Sequence, residues 1–370
     1  MKFQIKLPLI KDYLRKLSTS INSVSSRIEL TGILISVFDN SIVFEGRNDN
    51  IDIKIEESSL SEVKIFETGR ALIKANMLNE VIQRMEGDIV SFTKIDSNII
   101  TIEATGSKYD MNLLTDENFE KASYMEEVDE SFVIKSTDFI KSVNKVIFAG
   151  KEDHTKFIYQ GVHFSINNNI FTTTVCDGIR IASIKNNINY DGTLNKIIPI
   201  SVVKELVKLL PASGEYKFLF KKNKGIVKTN NIVIQFAIIE GTFPSFDKLY
   251  DQSLYNSSLV IDKALLSKSL DKVTVFSLAV FGSSRVTINL KQNEMKLESG
   301  EIEIGTADVI INDFNYNGED LKITLSPKII TEVLRASSSE NVSLYFKNNK
   351  STILFISETD GLIYLMSPMV

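Results

Sequence analysis

The stretch FQIKLPLIKDYLRKL, residues 3–17, reads as a short apolar strand, a proline turn, and then apolar residues at helical spacing mixed with lysine and arginine. The same order returns as FVIKSTDFIKSVNKV at 132–146 and as LVIDKALLSKSLDKV at 259–273. The three starts, Phe3, Phe132 and Leu259, lie 129 and 127 residues apart, close to one third of the 370-residue chain. A second series falls between them: ALIKANMLNEVIQRM at 71–85, KIIPISVVKELVKLL at 196–210 and LKITLSPKIITEVLR at 321–335. Six copies of one unit of about 60–70 residues therefore fill the sequence, and such a period decides architecture before any single motif is read.

Each unit continues in the same way. GDIVSFTKIDSNIITIEATGSKYDMNLL at 87–114 alternates apolar and polar residues in three runs broken by Asp-Ser-Asn and Thr-Gly-Ser, the pattern of a half-buried antiparallel sheet with tight turns. GEYKFLFKKNKGIVKTNNIVIQFAII at 214–239 and ENVSLYFKNNKSTILFISETDGLIYLM at 340–366 repeat it. Helix starts are signalled by Ser136 or Thr137, by Ser201, and by Ser326 followed by Pro327. The unit is strand, helix, strands, and two units make a domain. The expected fold is α+β, with three similar domains over residues 1–125, 126–252 and 253–370.

Length agrees, since 41.6 kDa exceeds one ordinary core. With 43% hydrophobic and 24% charged residues the composition is that of a globular protein. A single cysteine, Cys176, excludes a disulfide scaffold and suits a reducing compartment. The first apolar run, Leu7 to Ile10, is too short for a signal core, and no run reaches a membrane span of about 18 residues. The expectation is a cytoplasmic protein without membrane contact.

Motifs for chemistry are mostly missing. His154 and His163 are expected to be structural, and Cys176 has neither zinc spacing nor a paired base. Gly150-Lys151 lacks the earlier glycine and the following hydroxyl of a phosphate-cradling loop. The 47 acidic residues are scattered, and nothing selects an acid/base pair. No enzyme activity, metal or cofactor is expected. The net charge of −5 argues against a generic nucleic-acid binder only if it is evenly spread, and it is not. Six predicted helices, 9–20, 74–86, 136–148, 201–210, 262–276 and 326–338, hold 14 Lys and Arg against 8 Asp and Glu; they carry +6 and the remainder −11. A basic helix is commonly only a solvated face, but equivalent helices of one repeat would line a common surface, which suits a polyanion.

Four segments stand at the repeat ends: MKFQI, Cys176-Asp177-Gly178-Ile179-Arg180-Ile181-Ala182, Gly241-Thr242-Phe243-Pro244-Ser245-Phe246, and Met366-Ser367-Pro368-Met369-Val370. In that order they resemble, across the whole chain, the bacterial DNA polymerase sliding clamp family, the beta subunits of the replicative DNA polymerase III holoenzyme. The family's motifs there are Thr-Asp-Gly-His-Arg-Leu-Ala, Gly-x-Phe-Pro-Asp-Tyr and a proline-containing hydrophobic tail. The resemblance implies a DNA clamp fold: a head-to-tail homodimer closing into a ring, helices inside, double-stranded DNA through the hole and held without base contacts. It implies a processivity factor for DNA replication, opened by an ATP-driven clamp loader.

By the same resemblance, the DNA-facing population is Lys11, Arg15, Lys16, Lys74, Arg84, Lys141, Lys145, Lys204, Lys208, Lys268, Lys272 and Arg335. Arg27 matches the family's DNA-contacting loop arginine, although the loop after it lacks the usual proline-containing run. A hydrophobic groove between the second and third domains would receive a short linear motif from the replicative polymerase, the loader and repair proteins. Gly178, Ile179, Arg180 and Ile181 form one wall, Pro244 and Leu249 another, Leu365, Pro368 and Met369 a third, with Cys176 at the edge. At the dimer contact Tyr109 and Met111 would face Val275 and Phe276. Ile179 stands where the family commonly has His, and Ser367 where an apolar residue is usual. Asn118-Phe119-Glu120 replaces Phe-Pro in the first repeat, which suits a groove built once per subunit. Phe243 also has a plainer reading, as a side chain closing a core. The rival classes are a structural or adhesive β-repeat protein that ignores DNA, and a hydrolase on a repeated scaffold.

Overall fold

Alternating apolar residues make strands whose inward side chains lead straight into helices. Lys2–Lys6 enters α1 (Leu7–Leu17), Gly69–Lys74 enters α2 (Ala75–Arg84), and Glu130–Lys135 enters α3 (Ser136–Val146). Leu194–Pro199 enters α4 (Ile200–Leu209), Ser257–Asp262 enters α5 (Lys263–Val273), and Leu321–Leu325 leads through Ser326 into α6 (Pro327–Ala336). The computed structural model describes residues 1–21, 25–117, 119, 124, 128–275, 284–301 and 305–369.

The expected turn between strand and helix is absent in the first repeat, because Pro8 sits in the first turn of α1, where its missing N–H costs nothing. The expected serine caps differ as well. Ser136 Oγ donates to the Ala212 carbonyl, and Ser326 makes no side-chain cap bond, whereas Asp262 accepts from Leu265 N–H at 2.6 Å and caps α5. Along α1, Leu7, Ile10, Tyr13, Leu14 and Leu17 are buried while Asp12 and Arg15 point outward, the stripe that anchors a helix to a sheet.

The repeat is visible in the register. Phe3 lies opposite Phe92, Phe132 opposite Phe218, and Leu259 opposite Leu344. The first two pairs stack at 4.7 Å and 5.0 Å. Each opening strand thus pairs with the strand that follows the second helix of its predicted domain.

By contact density the chain divides into two compact units, Met1–Ser136 with Lys204–Ile238, and Thr137–Val203 with Ile239–Val370. The division runs through the 126–252 segment, because each of its two repeats hydrogen-bonds edge-on to a neighbour. In the first unit a 13-stranded antiparallel sheet is continuous where Ile232–Ala237 pairs with Ile51–Glu57. In the second, a nine-stranded sheet is continuous where Leu362–Met366 pairs with Arg180–Asn187, and a four-stranded sheet packs on α5. Phe119 is buried against Leu34 and Leu72.

Candidate partner groove and basic helix faces

Strand Ile170–Cys176 ends in a turn that the sequence VCDGIRI makes nearly obligatory. Gly178 has φ +84°, a left-handed conformation that glycine adopts without strain. Asp177 Oδ1 accepts from the N–H groups of Ile179 at 3.1 Å and Arg180 at 3.0 Å, and Oδ2 accepts from Arg180 Nε at 3.0 Å. Arg180 also donates to Glu332 of α6 and to the Phe148 carbonyl. Its side chain is only 10% exposed. Here the expectation needs correction: Arg180 gives the groove wall its backbone, while its guanidinium is committed to the turn and to α6. The fixed turn presents Ile179, which is 53% exposed.

Beyond the turn, Ile181 pairs with Leu365 and Arg180 with Met366. Cys176, Ile181, Leu365, Leu354, Ile197, Ile239 and Phe243 form one buried apolar cluster on this sheet. Gly241–Tyr250 folds over it: Phe243 stacks on His163 at 4.6 Å, which fulfils its plainer reading as core, and Asp247–Tyr250 forms a 3-10 turn. Pro244 remains half-buried and Leu249 is 39% exposed. The tail is tied down by Ser367 N–H donating to the Ile179 carbonyl at 3.1 Å and Met369 N–H to the Thr324 carbonyl at 2.9 Å. Pro368 and Met369 are half-buried beside it. The structure therefore gathers Cys176, Ile181 and Leu365 in the floor, and leaves Ile179 and Leu249 accessible.

Sequence reasoning missed the aromatic surround. Tyr159, Phe246, Tyr250, Tyr255 and Tyr345 pack against the same cluster, and Tyr255 Oη donates to the Leu249 carbonyl at 2.7 Å. No motif marks Tyr159, Tyr255 or Tyr345, which come from three separate segments, whereas Phe246 and Tyr250 belong to Gly241–Tyr250 itself. A cavity of 420 Å³ adjoins this region, lined on one side by Phe243, Pro244, Phe246 and Tyr250 and on the other by strand residues including Thr174 and Ser183. Burial pushes the Cys176 thiol up, with donation from Gly178 N–H opposing. Burial pushes the His163 imidazole down, with Asn195 opposing at 3.0 Å. The two histidines are thus engaged in packing: His154 lies edge-on to Tyr159.

Among the basic helix residues, Arg15, Lys74, Arg84, Lys141, Lys204, Lys208, Lys268, Lys272 and Arg335 are exposed. Arg15 and Lys16 share Asp12, Arg84 pairs with Glu80 and Lys208 with Glu205, pairs on solvated faces that are worth little and are readily exchanged. Lys74, Lys141, Lys268, Lys272 and Arg335 have no ion pair among the described residues. Lys11 Nζ lies 3.3 Å from the Met85 carbonyl at the end of α2. Lys145 departs from its expected role. Its ammonium donates to Asp360 at 2.6 Å, to Ser338 and to the Ala336 carbonyl, and its side chain is 15% exposed. Burial raises the Asp360 carboxyl, but bonds from Lys145, Ser357 and Ser338 N–H outweigh it and hold the group at about 2. Arg27 is exposed and 3.4 Å from Asp49.

Tyr109 and Met111 are half-exposed on Ser107–Leu114, and Val275 is exposed just after α5. Phe276 lies outside the described residues.

The profile described as DNA polymerase III beta subunit, central domain, matches residues 133–245, and that of the C-terminal domain matches 254–370. The "Beta sliding clamp" of Mycoplasma capricolum is 24% identical over 96% of this chain and 95% of that protein. The crystal structure of a DNA polymerase sliding clamp from Bacillus subtilis superposes with a TM-score of 0.92 at 20% identity, covering 100% of this chain and 99% of that one. That of a DNA polymerase III beta chain from Streptococcus pneumoniae gives 0.93 at 20% identity and the same coverage. Likeness at these identities carries the fold, which is the DNA clamp fold. The chain belongs to the DNA polymerase III beta subunit family, whose two profiles together span well over half of it.

Proposed function

We propose that this chain is the processivity factor of a replicative DNA polymerase: a homodimeric ring that encircles duplex DNA and tethers partners through the groove between Ile179 and the C-terminal tail. The observation that carries this reading is the junction of Arg180–Asn187 with Leu362–Met366, where residues 180 to 186 positions apart in the chain build an apolar trough ending in the exposed Ile179 and Leu249. Such a trough, with few polar anchors, suits an extended peptide held by a few aliphatic or aromatic side chains. The occupants are short linear motifs of the polymerase, the clamp loader and repair proteins.

The domains of the ring are residues 1–125, 126–252 and 253–370, a reading supported by the two matching profiles, which fall within the last two at 133–245 and 254–370. Two strands supply dimer edges. Ser107–Leu114 pairs over residues 107–112 with Ile99–Ala104 alone among the described residues, and Gly305–Ile311 ends the four-stranded sheet. Edges of this kind pair readily with another chain, and Tyr109, Met111, Val275 and Phe276 would close the contact. The exposed helix cations hold DNA phosphates through water and without base readout, so the ring slides. The protein acts in the cytoplasm as an accessory subunit and catalyses no reaction of its own.

The test is topological. A ring of about 83 kDa, twice the chain mass, should stay on circular duplex DNA and leave when that DNA is linearised. Retention that survives linearisation indicates ordinary binding and overturns the ring; a protein that ignores DNA supports the adhesive reading.

A further inference from the structure

The sheet beneath the groove changes character along its own strands. On Ile170–Cys176, Arg180–Asn187 and Leu194–Pro199, the face toward the groove carries Cys176, Ile181 and Ile197. Two and four residues away, the same face carries Thr174 and Thr172, Ser183 and Lys185, and Asn195 and Thr193. His163 and Ser165 of Gly161–Asn167 complete the rows, since His163 lies opposite Thr174, and Ser165 lies between Thr172 and Asn195. An apolar floor gives way to hydroxyls and amides on one continuous sheet.

A solvent-facing antiparallel sheet is commonly polar, but this one is walled. Gly241–Tyr250 stands over it, and Phe243, Pro244, Phe246 and Tyr250 enclose a cavity of 420 Å³ against the polar rows, a volume within the range of ligand pockets. Asn167 and Asn168 line its other end, at a two-residue hairpin turn whose Asn168 and Asn169 hold φ +50° and +62°.

The lining narrows the occupant. Its one acid, Asp247, accepts from Ser245 Oγ at 2.9 Å and is too few for a hard metal ion, while its one fixed cation, Lys185, is too few for a polyanion. Phe243 is buried, stacks on His163 at 4.6 Å and meets Tyr159 and Phe246 edge-on, which removes it as a stacking platform for a base or a sugar. Hydrogen bonding remains. Ser165, Thr172 and Lys185 make no side-chain hydrogen bond or ion pair among the described residues. His163 Nε2 lies 3.0 Å from Asn195 Oδ1, which leaves the Asn195 NH2 group to donate. Such groups match the side chains and main chain of a polar peptide.

Continuity says which peptide. Phe243, Phe246 and Tyr250 wall the cavity and also pack on the apolar cluster of the groove. A chain leaving the groove beside Pro244 reaches the polar rows directly. From Cys176 to Thr172 the strand runs about 13 Å, room for roughly four extended residues.

We propose that this cavity is a second subsite for the chains that occupy the groove: it takes the polar residues flanking the apolar motif, through Ser165, Thr172, Asn195 and Lys185. The assignment rests on the groove reading above and moves part of partner preference onto a surface outside the groove.

Fluorescence anisotropy with a polymerase-derived groove peptide, alone and extended by Ser-Asn-Thr-Asp at one end or the other, tests it. One of the two extensions should bind about tenfold tighter than the unextended peptide, the effect of one to three net hydrogen bonds. Ser165→Ala and Thr172→Val, substitutions on the half-exposed strand face, should each take away about threefold of that gain and together nearly all of it, with the unextended peptide bound as before. If the unextended peptide binds but neither extension tightens it, or the gain survives the double variant, the subsite fails while the groove stands. If the unextended peptide does not bind wild-type protein, both fail. If Lys185→Ala alone abolishes the gain and the double variant keeps it, the extension is held by one charge contact, and the polar subsite is overturned.

Discussion

Replacing Asp177 with alanine should loosen the groove turn without touching an apolar contact. Asp177 is 5% exposed and its carboxylate accepts three hydrogen bonds, from Ile179 N–H, Arg180 N–H and Arg180 Nε, at 3.0–3.1 Å. Breaking a buried ion pair costs about 3–5 kcal/mol, mostly because the remaining charge is left uncompensated. Arg180 keeps Glu332 and the Phe148 carbonyl, which places the loss at the lower end, about 3 kcal/mol. Amide hydrogen exchange reads this locally, and that matters in a chain whose two compact units need not unfold as one. Exchange at Ile179 and Arg180 should accelerate by roughly 100-fold, since each 1.4 kcal/mol is a factor of ten. Asp177→Asn keeps an acceptor for both amides and should fall between. Groove-peptide affinity should drop with the alanine variant, because the Ile179 carbonyl also holds Ser367 N–H. Exchange within threefold of wild type at both amides would show that the carboxylate does not hold the turn.

Two further outcomes concern the frame of the groove. Asp360 sits at about 2, below its ordinary 3.8, so its contribution is present above that ordinary value and is lost as pH falls toward 2. The stability advantage of wild type over Asp360→Asn, roughly 2 kcal/mol near neutral pH, should therefore shrink between about pH 5 and pH 2 in paired urea titrations; a constant difference across that window refutes the assignment. Phe243→Ala removes a buried ring stacked on His163 and should cost about 3–5 kcal/mol, with groove-peptide affinity falling alongside as Pro244 and Leu249 lose their seat; unaltered stability would mean that the ring is not core.

Much of this architecture is legible in the sequence because repeats multiply a weak signal. One strand followed by one helical stripe is ambiguous, but six in phase place all six described helices within three residues at each end of where the pattern put them. What the pattern hides is long-range. Arg180 and Lys145 read as a wall residue and a DNA-facing lysine because nothing local distinguishes them from their neighbours. Their partners, Glu332 and Asp360, are 152 and 215 residues away. Pro8 reads as a turn marker in the sequence because proline is equally at home in a turn and in the first turn of a helix, where the structure places it. The aromatic surround of the groove was invisible for the same reason as the ion pairs: Tyr159, Tyr255 and Tyr345 converge only once the sheet is built.

Repetition also bears on why the partner groove proposed above is built at one of two related turns. The Asn48 and Asp177 turns share their backbone bonds, and the strands after them share their pairing scheme, so the scaffold of a groove exists at both places. Whether an apolar peptide is held depends on side chains projecting from that scaffold. Ile181 against Leu365 offers a dry floor, whereas Asp52 bonded to Gln235 would be stripped of water by an apolar ligand that returns no hydrogen bond. That desolvation penalty, repeated at Arg47 and Asn50, disfavours an apolar ligand at the first turn, which fits the single groove proposed above. The two turns share hydrogen bonds and differ in backbone as well as in side chains, since Gly178 has φ +84° and its counterpart Asp49 does not adopt that left-handed conformation.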